Sequence, residues 1–206
     1  MNSAASELRP DLQIVAKWIA PGSRVLDIGC GFGELLAYLG REKDVDGRGI
    51  EIRRAKVNRC VAAGLSVIRG DANRDLSLYP KDSFDYVVLT QALQAMEEPK
   101  TVLEELIRVG NRAVVSIPNF GHWRVRLSLL FSGRMPLTET LDQPWYETKN
   151  IHLCTILDFL DLARQMGLVI EDAVVLKPDG TPARSPVTSA RANFWGEQAV
   201  FLLRRR

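Results

Sequence analysis

Histidine is nearly absent from this chain and cysteine is scarce. Its 206 residues hold two histidines, His122 and His152, and three cysteines, Cys30, Cys60 and Cys154. No set of them has the spacing of a zinc site, so a metal centre is not expected. A scattered, odd number of thiols offers no disulfide framework and fits a reducing cytoplasm, the expected location. No apolar run is long enough to cross a bilayer and no signal-peptide pattern opens the chain, so no membrane partner is expected. The net charge is only +2, too small for a surface that coats nucleic acid, and no stripe of alternating aromatic and basic residues compensates for that. Arg204–Arg206 read as a solvated basic end.

What is present is an ordinary globular composition, 46% hydrophobic and 25% charged, in a chain long enough for one substantial core. A single domain over residues 1–206 is expected. Leu8, Leu12, Val15 and Ile19 have helical spacing, within an N-terminal part, residues 1–23, closed by Pro21-Gly22. From Arg24 onward short apolar strands alternate with helices. Strands are predicted at 24–28, ending at Glu51, at 65–68, 84–89 and 112–117. Helices are predicted from Glu34, up to Ala62, and over 101–109. That alternation predicts a mostly parallel sheet with right-handed crossovers. After Pro118 the pattern changes. A helix carrying arginines is predicted over 122–131, and an aperiodic stretch over 133–150. An amphipathic helix over 155–166 follows, then two final strands, 168–176 and 198–203, readable as a hairpin at the sheet edge. Residues 177–193, rich in Pro, Ser, Thr and Arg, are expected to form an exposed loop.

The strongest local signal is Val25-Leu26-Asp27-Ile28-Gly29-Cys30-Gly31-Phe32-Gly33. A strand must turn sharply into a helix here, and glycines permit the turn and let a ligand approach bare backbone. The spacing is Gly-x-Gly-x-Gly with an acid two residues before the first glycine, not the dinucleotide pattern. A dinucleotide would place a pyrophosphate at the helix start. S-adenosylmethionine (SAM) has no phosphate, and its ammonium and sulfonium are complemented by a carboxylate such as Asp27. Glu51, with Ile52 beside it, ends the second strand where an acid accepts hydrogen bonds from ribose hydroxyls. Asp71 and Ala72 end the third strand, placed to meet an adenine amino group and ring nitrogen; the alternative is a turn aspartate capping the next element. Thr90 and Gln91 follow the fourth strand, beside the expected methionine end of the ligand.

These residues resemble the class I SAM-dependent methyltransferases over about residues 24–117. The resemblance implies a Rossmann-like α/β fold: a mostly parallel seven-stranded sheet with one antiparallel strand and helices on both faces. It also implies SAM or S-adenosylhomocysteine at Asp27, Gly29, Cys30, Gly31, Glu51, Ile52, Asp71, Ala72, Thr90 and Gln91.

The second half, residues 118–206, carries two unusual segments. One runs Ser116-Ile117-Pro118-Asn119-Phe120-Gly121-His122-Trp123-Arg124-Val125-Arg126-Leu127. The other comprises Gly133-Arg134-Met135-Pro136 and Trp145-Tyr146-Glu147-Thr148-Lys149-Asn150-Ile151-His152-Leu153-Cys154-Thr155. With the glycine turn and Thr90-Gln91-Ala92-Leu93-Gln94, these resemble the MetW family of bacterial methionine biosynthesis, from about Arg9 to Gly167. Phe32 departs from that family's small acidic residue and is expected to narrow the pocket mouth. The resemblance implies a SAM-binding accessory partner that supports homoserine O-acyltransferase. Asn119, Trp123, Arg124, Arg126, Arg134 and Trp145 are the candidates for partner or substrate contact. Guanidinium suits forked pairing with carboxylates. The alternative is an active methyltransferase on a small metabolite, for which His122, His152 and Tyr146, with Glu147, are the candidate bases. A third reading is a structural domain that binds no nucleotide. Homodimerisation stays open.

Overall fold

A computed structural model describes residues 8–138, 143–144, 147–148 and 151–206. In chain order the elements are α1 (Pro10–Trp18), β1 (Arg24–Ile28), α2 (Glu34–Lys43), β2 (Asp46–Glu51), α3 (Arg54–Ala62), β3 (Ser66–Arg69), α4 (Ala72–Asp75) and β4 (Phe84–Thr90). They continue with α5 (Pro99–Val109), β5 (Gly110–Pro118), α6 (Trp123–Ser132), α7 (Ile156–Gln165), β6 (Val169–Leu176), α8 (Ala190–Trp195) and β7 (Gln198–Arg204).

The seven strands form one sheet in the order β3-β2-β1-β4-β5-β7-β6. β1 to β5 pair in parallel, and β7 runs antiparallel to both β5 and β6. This is the expected mixed sheet with one reversed strand. The last two strands do pair with each other, but only β6 lies at the edge. β7 is inserted between β5 and β6 and is buried from Gln198 to Leu203, as its apolar Ala-Val-Phe-Leu-Leu run requires.

Side-chain alternation distributes the core over both faces. Tyr86 and Val88 of β4, Val114 of β5 and Val200 of β7 point toward the α1 and α2 side. Val87, Leu89, Val115 and Phe201 point toward α5 and α7. Local signals set the helix starts. Pro10 is at the first turn of α1, where its missing N–H costs nothing. Thr155 and Asp158 form a reciprocal capping box on α7, each satisfying the other's backbone N–H.

Residues 177–193 are not simply an exposed loop. Ser189 accepts a hydrogen bond from the Ala192 N–H and starts α8, which buries Ala192 and Asn193. Six residues are too few for a visible helical period, so the cap was its only sequence signal. Asn119 explains why this helix packs inward. Its amide donates to the carbonyls of Asn193 (2.8 Å) and Gly196 (2.7 Å), and its Oδ1 accepts from the N–H of Gly121 (2.9 Å) and Ile156 (3.2 Å). This one buried side chain joins the end of β5 to the starts of α6 and α7 and the end of α8.

Candidate functional site

Four strand ends build the site. Gly29 lies at φ +69°, where a side chain is strained, and Gly33 at φ +78°, where a Cβ would also collide with the Leu65 side chain. Between them the chain reverses from β1 into α2. The turn is pinned to the next strand: the N–H groups of Gly29 and Cys30 both donate to the Ile50 carbonyl, at 2.8 and 3.2 Å. Glu51 is buried and holds the loop from the other side. Its Oε2 accepts from the Gly31 N–H at 3.1 Å, and its Oε1 from the Arg53 N–H at 2.9 Å. Each carboxylate oxygen keeps a further lone pair for a hydroxyl donor.

Two cavities meet at Gly29 and Ala92. The larger, about 460 Å³, is lined by Arg9, Asp27, Gly29, Cys30, Gly31, Phe32, Lys56, Thr90 and Gln91 among others. The smaller, about 270 Å³, is lined by Gly29, Glu51, Ile52, Asp71, Ala72, Asn73 and Met96 among others. All ten residues expected around a nucleotide therefore border these two lobes. The first lobe is polar, with acid and cation facing each other. The second joins apolar walls, Ile50, Ile52 and Met96, to two carboxylates. An adenosyl amino acid has the matching division: a zwitterionic end and a flat aromatic end joined by a ribose. The residues present fit that group. Phe32 is among the residues lining the larger lobe; its ring is stacked under Arg59 (4.4 Å) and Lys56 (5.2 Å) and remains half exposed.

Asp27 is only 3% exposed. Burial pushes its carboxyl up to about 7, against the opposing pull of Arg9 and with smaller pushes from Glu51 and Asp11. A cation placed beside it favours the charged form. Asp71 is the turn aspartate that caps the next element, its Oδ1 accepting from the Asn73 N–H at 3.0 Å at the start of α4, and it also borders the smaller lobe. Cys30 turns its thiol beneath the loop toward Gly49, and burial, with Asp27 nearby, raises its pKa.

Two polar residues escaped the sequence reading. Arg9 reaches from the start of α1 over the larger lobe, 3.5 Å from Gln91 Oε1 and 3.3 Å from Asp11 Oδ2. Asp11 is fully buried; its Oδ2 also accepts from Ser116 Oγ at 3.2 Å, and its Oδ1 has no partner among the described residues. The signal was available. Asp11 sits on the apolar stripe of Leu8, Leu12 and Val15, where an acid is out of place unless it is used.

The catalytic candidates are elsewhere. His122 is buried at the start of α6 with neither ring nitrogen hydrogen-bonded among the described residues, and burial, with Arg124, lowers its pKa. His152 is exposed, its ring 3.2 Å from the Glu97 carbonyl, and borders a different, apolar hollow with Leu93 and Phe159. Neither lines the two lobes. Tyr146 lies outside the described residues, as does Trp145, and Glu147 is exposed.

Of the partner candidates, Asn119 is corrected: it is buried and its amide is consumed by the four bonds above, leaving nothing for a partner. Arg126 donates to the Gly121 carbonyl at 2.6 Å and lies over Phe194. Trp123, Arg124 and Arg134 are on the surface of α6 and just beyond it.

Residues 9–203 match the family model described as methionine biosynthesis protein MetW. The chain belongs to the MetW family. A curated relative, the bifunctional methionine biosynthesis protein MetXA/MetW of Rhodopirellula baltica, is 33% identical over 192 residues, covering 85% of this chain and 31% of that protein. A demethylmenaquinone methyltransferase of Renibacterium salmoninarum is 32% identical over 120 residues, 55% of this chain and 50% of that one. This MetW-family chain thus spans about a third and a half, respectively, of these relatives. Solved structures share the fold. A SAM-dependent methyltransferase from Mesorhizobium loti superposes with TM-score 0.66 at 20% identity, covering 99% of both chains. One from Archaeoglobus fulgidus superposes with TM-score 0.68 at 15% identity, covering 98% and 94%. Among the described residues no group of three or more His, Cys, Asp or Glu could hold a metal, and no helix is long and apolar enough to cross a membrane.

Proposed function

We propose that this chain is an accessory subunit of homoserine O-acyltransferase in methionine synthesis and senses SAM in the two-lobed cavity. The single observation that carries the ligand assignment is the meeting of those lobes at Gly29, with Asp27 and Arg9 in one and Glu51 and Asp71 in the other. In this reading Asp27 faces the ammonium, Arg9 the carboxylate, Glu51 the ribose hydroxyls and Asp71 with Ala72 the adenine edge. The partnership is supported by the relative that carries MetXA and MetW in one chain. SAM is the pathway's downstream product, so a form that binds it and a form that does not would engage the acyltransferase with different affinity. Linkage makes that coupling reciprocal.

The second reading is a methyltransferase acting on a small metabolite, favoured by the likeness to a quinone methyltransferase over half of the chain. Against it stands the placement of both histidines outside the lobes. One experiment separates the two. The purified chain is titrated calorimetrically with SAM and S-adenosylhomocysteine. It is then mixed with the acyltransferase while acyl transfer is followed, and in parallel given labelled SAM and a metabolite extract. A gain in acyl-transfer rate that SAM modulates, without label transfer, is expected. Label transfer with no effect on the acyltransferase would replace this reading by the second.

A further inference from the structure

Asp11 is a buried acid that the ligand assignment leaves without a task. It lies in the first turn of α1, on the apolar stripe of Leu8, Leu12 and Val15, and is fully buried. An acid in a first turn suits the helix dipole, but an exposed one does so without desolvation. An apolar side chain at this point of the stripe would simply add to the core. Stability alone therefore gives no reason for a carboxylate here.

Its contacts give one. They close a ring beside the larger lobe. Asp11 Oδ2 faces Arg9 Nη2 at 3.3 Å and accepts from Ser116 Oγ at 3.2 Å. Ser116 Oγ in turn accepts from the Gln91 N–H at 3.0 Å, and Gln91 Oε1 stands 3.5 Å from Arg9 Nη1. Asp11 and Ser116 are the buried half of the ring; Arg9 and Gln91 line the lobe. The Arg9 side chain is 48% exposed, and a long side chain so exposed has many rotamers to lose when a ligand fixes it. Held by Asp11 at one nitrogen and close to Gln91 at another, its guanidinium is placed before the ligand arrives, with N–H donors still unspent.

We propose that Asp11, backed by Ser116, positions Arg9 over the larger lobe and thereby makes the cavity select an adenosyl ligand that carries an amino-acid carboxylate over one that lacks it. The inference rests on the ligand reading proposed above. In it Asp11 is a positioning residue, and Arg9 makes the contact.

The test compares S-adenosylhomocysteine with 5′-methylthioadenosine. Both are neutral thioethers of adenosine, and they differ in the amino-acid end. The wild-type chain, D11N, R9Q, the double variant of these two, and S116A are titrated calorimetrically at pH 8. That pH lies above the Asp27 pKa of about 7, so loss of the Asp11 charge does not act by ionising Asp27. D11N should bind S-adenosylhomocysteine about fivefold more weakly and 5′-methylthioadenosine within about twofold of the wild type. S116A, which removes one hydrogen bond to Asp11, should lose about threefold for S-adenosylhomocysteine alone. In the R9Q background D11N should add less than about twofold, because the group it positions is already gone. A merely structural role would weaken both ligands together. If D11N weakens both equally, or neither, Asp11 does not position Arg9 and the inference is overturned. If the D11N and R9Q losses multiply, Asp11 acts by another route and the inference is again overturned. Should D11N not fold, S116A decides on the same two ligands. If the wild type binds neither compound, the ligand reading itself fails and takes this inference with it.

Discussion

The side-chain amide of Gln91 donates to Oε1 of Gln198 across 2.8 Å, joining residues 107 apart in sequence. Gln91 lines the larger lobe in a left-handed conformation, φ +51°, held by its own N–H donating to the carbonyl and the hydroxyl of Ser116, each at 3.0 Å. Gln198 opens β7, three residues after Trp195. One hydrogen bond therefore joins the candidate ligand cavity to the start of β7.

If that bond carries ligand information, breaking it should uncouple SAM from the acyltransferase without emptying the cavity. Gln198→Leu removes the acceptor at a position outside the cavity wall. SAM affinity is expected to change less than threefold. The SAM-dependent change in acyltransferase affinity, measured by calorimetry at zero and saturating SAM, should shrink to a factor near one. An undiminished SAM effect in the variant would remove Gln91–Gln198 from the coupling.

Arg9 and Glu51 should separate the two ends of the ligand. Arg9→Gln removes only the cation assigned to the carboxylate, so SAM should bind about tenfold more weakly, roughly 1.4 kcal/mol. 5′-Methylthioadenosine, which lacks the amino-acid end, should bind Arg9→Gln as it binds the wild type. Glu51→Ala should weaken both ligands, by about 1–3 kcal/mol, through lost hydrogen bonds. Equal loss of both ligands in Arg9→Gln would misplace the carboxylate.

Asp27 sets an opposed pH dependence for ligand and stability. Its folded pKa, about 7, lies above its ordinary value of 3.8. Between those values the unfolded chain has released this proton while the folded chain keeps it, so stability falls as pH rises through that window and levels off above 7. SAM, needing the carboxylate, should bind more tightly from pH 6 to pH 8. Asp27→Asn abolishes both trends. Its melting temperature should exceed the wild type's by several degrees at pH 8 and by less at pH 5, and its residual SAM affinity should be flat with pH. A wild-type affinity that is flat from pH 6 to pH 8 would show that no cation sits against Asp27.

Asn119→Ala tests the staple. Removing a buried side chain that makes four hydrogen bonds orphans two carbonyls and two N–H groups, at a cost of about 2–4 kcal/mol. Urea denaturation should show a lowered midpoint. A loss below 0.5 kcal/mol would mean that water replaces the amide.

Much of this could be read from the order of residues. The alternation of apolar strands and helices from Arg24 to Ile117 needs only neighbours a few positions apart, and so does the Gly-x-Gly-x-Gly turn with its preceding acid. Those local patterns sufficed to name the sheet and the acids at its strand ends. Three things needed the folded chain. β7 inserts beside β5 because its run is apolar on both faces, and strand order depends on partners some 80 residues distant. Asn119 looked like a surface amide until Gly121, Ile156, Asn193 and Gly196 were gathered around it. Leu130 and Phe131 are large apolar side chains of the kind most often found inside a fold. Only the folded chain, in which Val125 is the buried residue of α6, shows that they stay exposed, because burial is a property of what surrounds a side chain and not of the side chain.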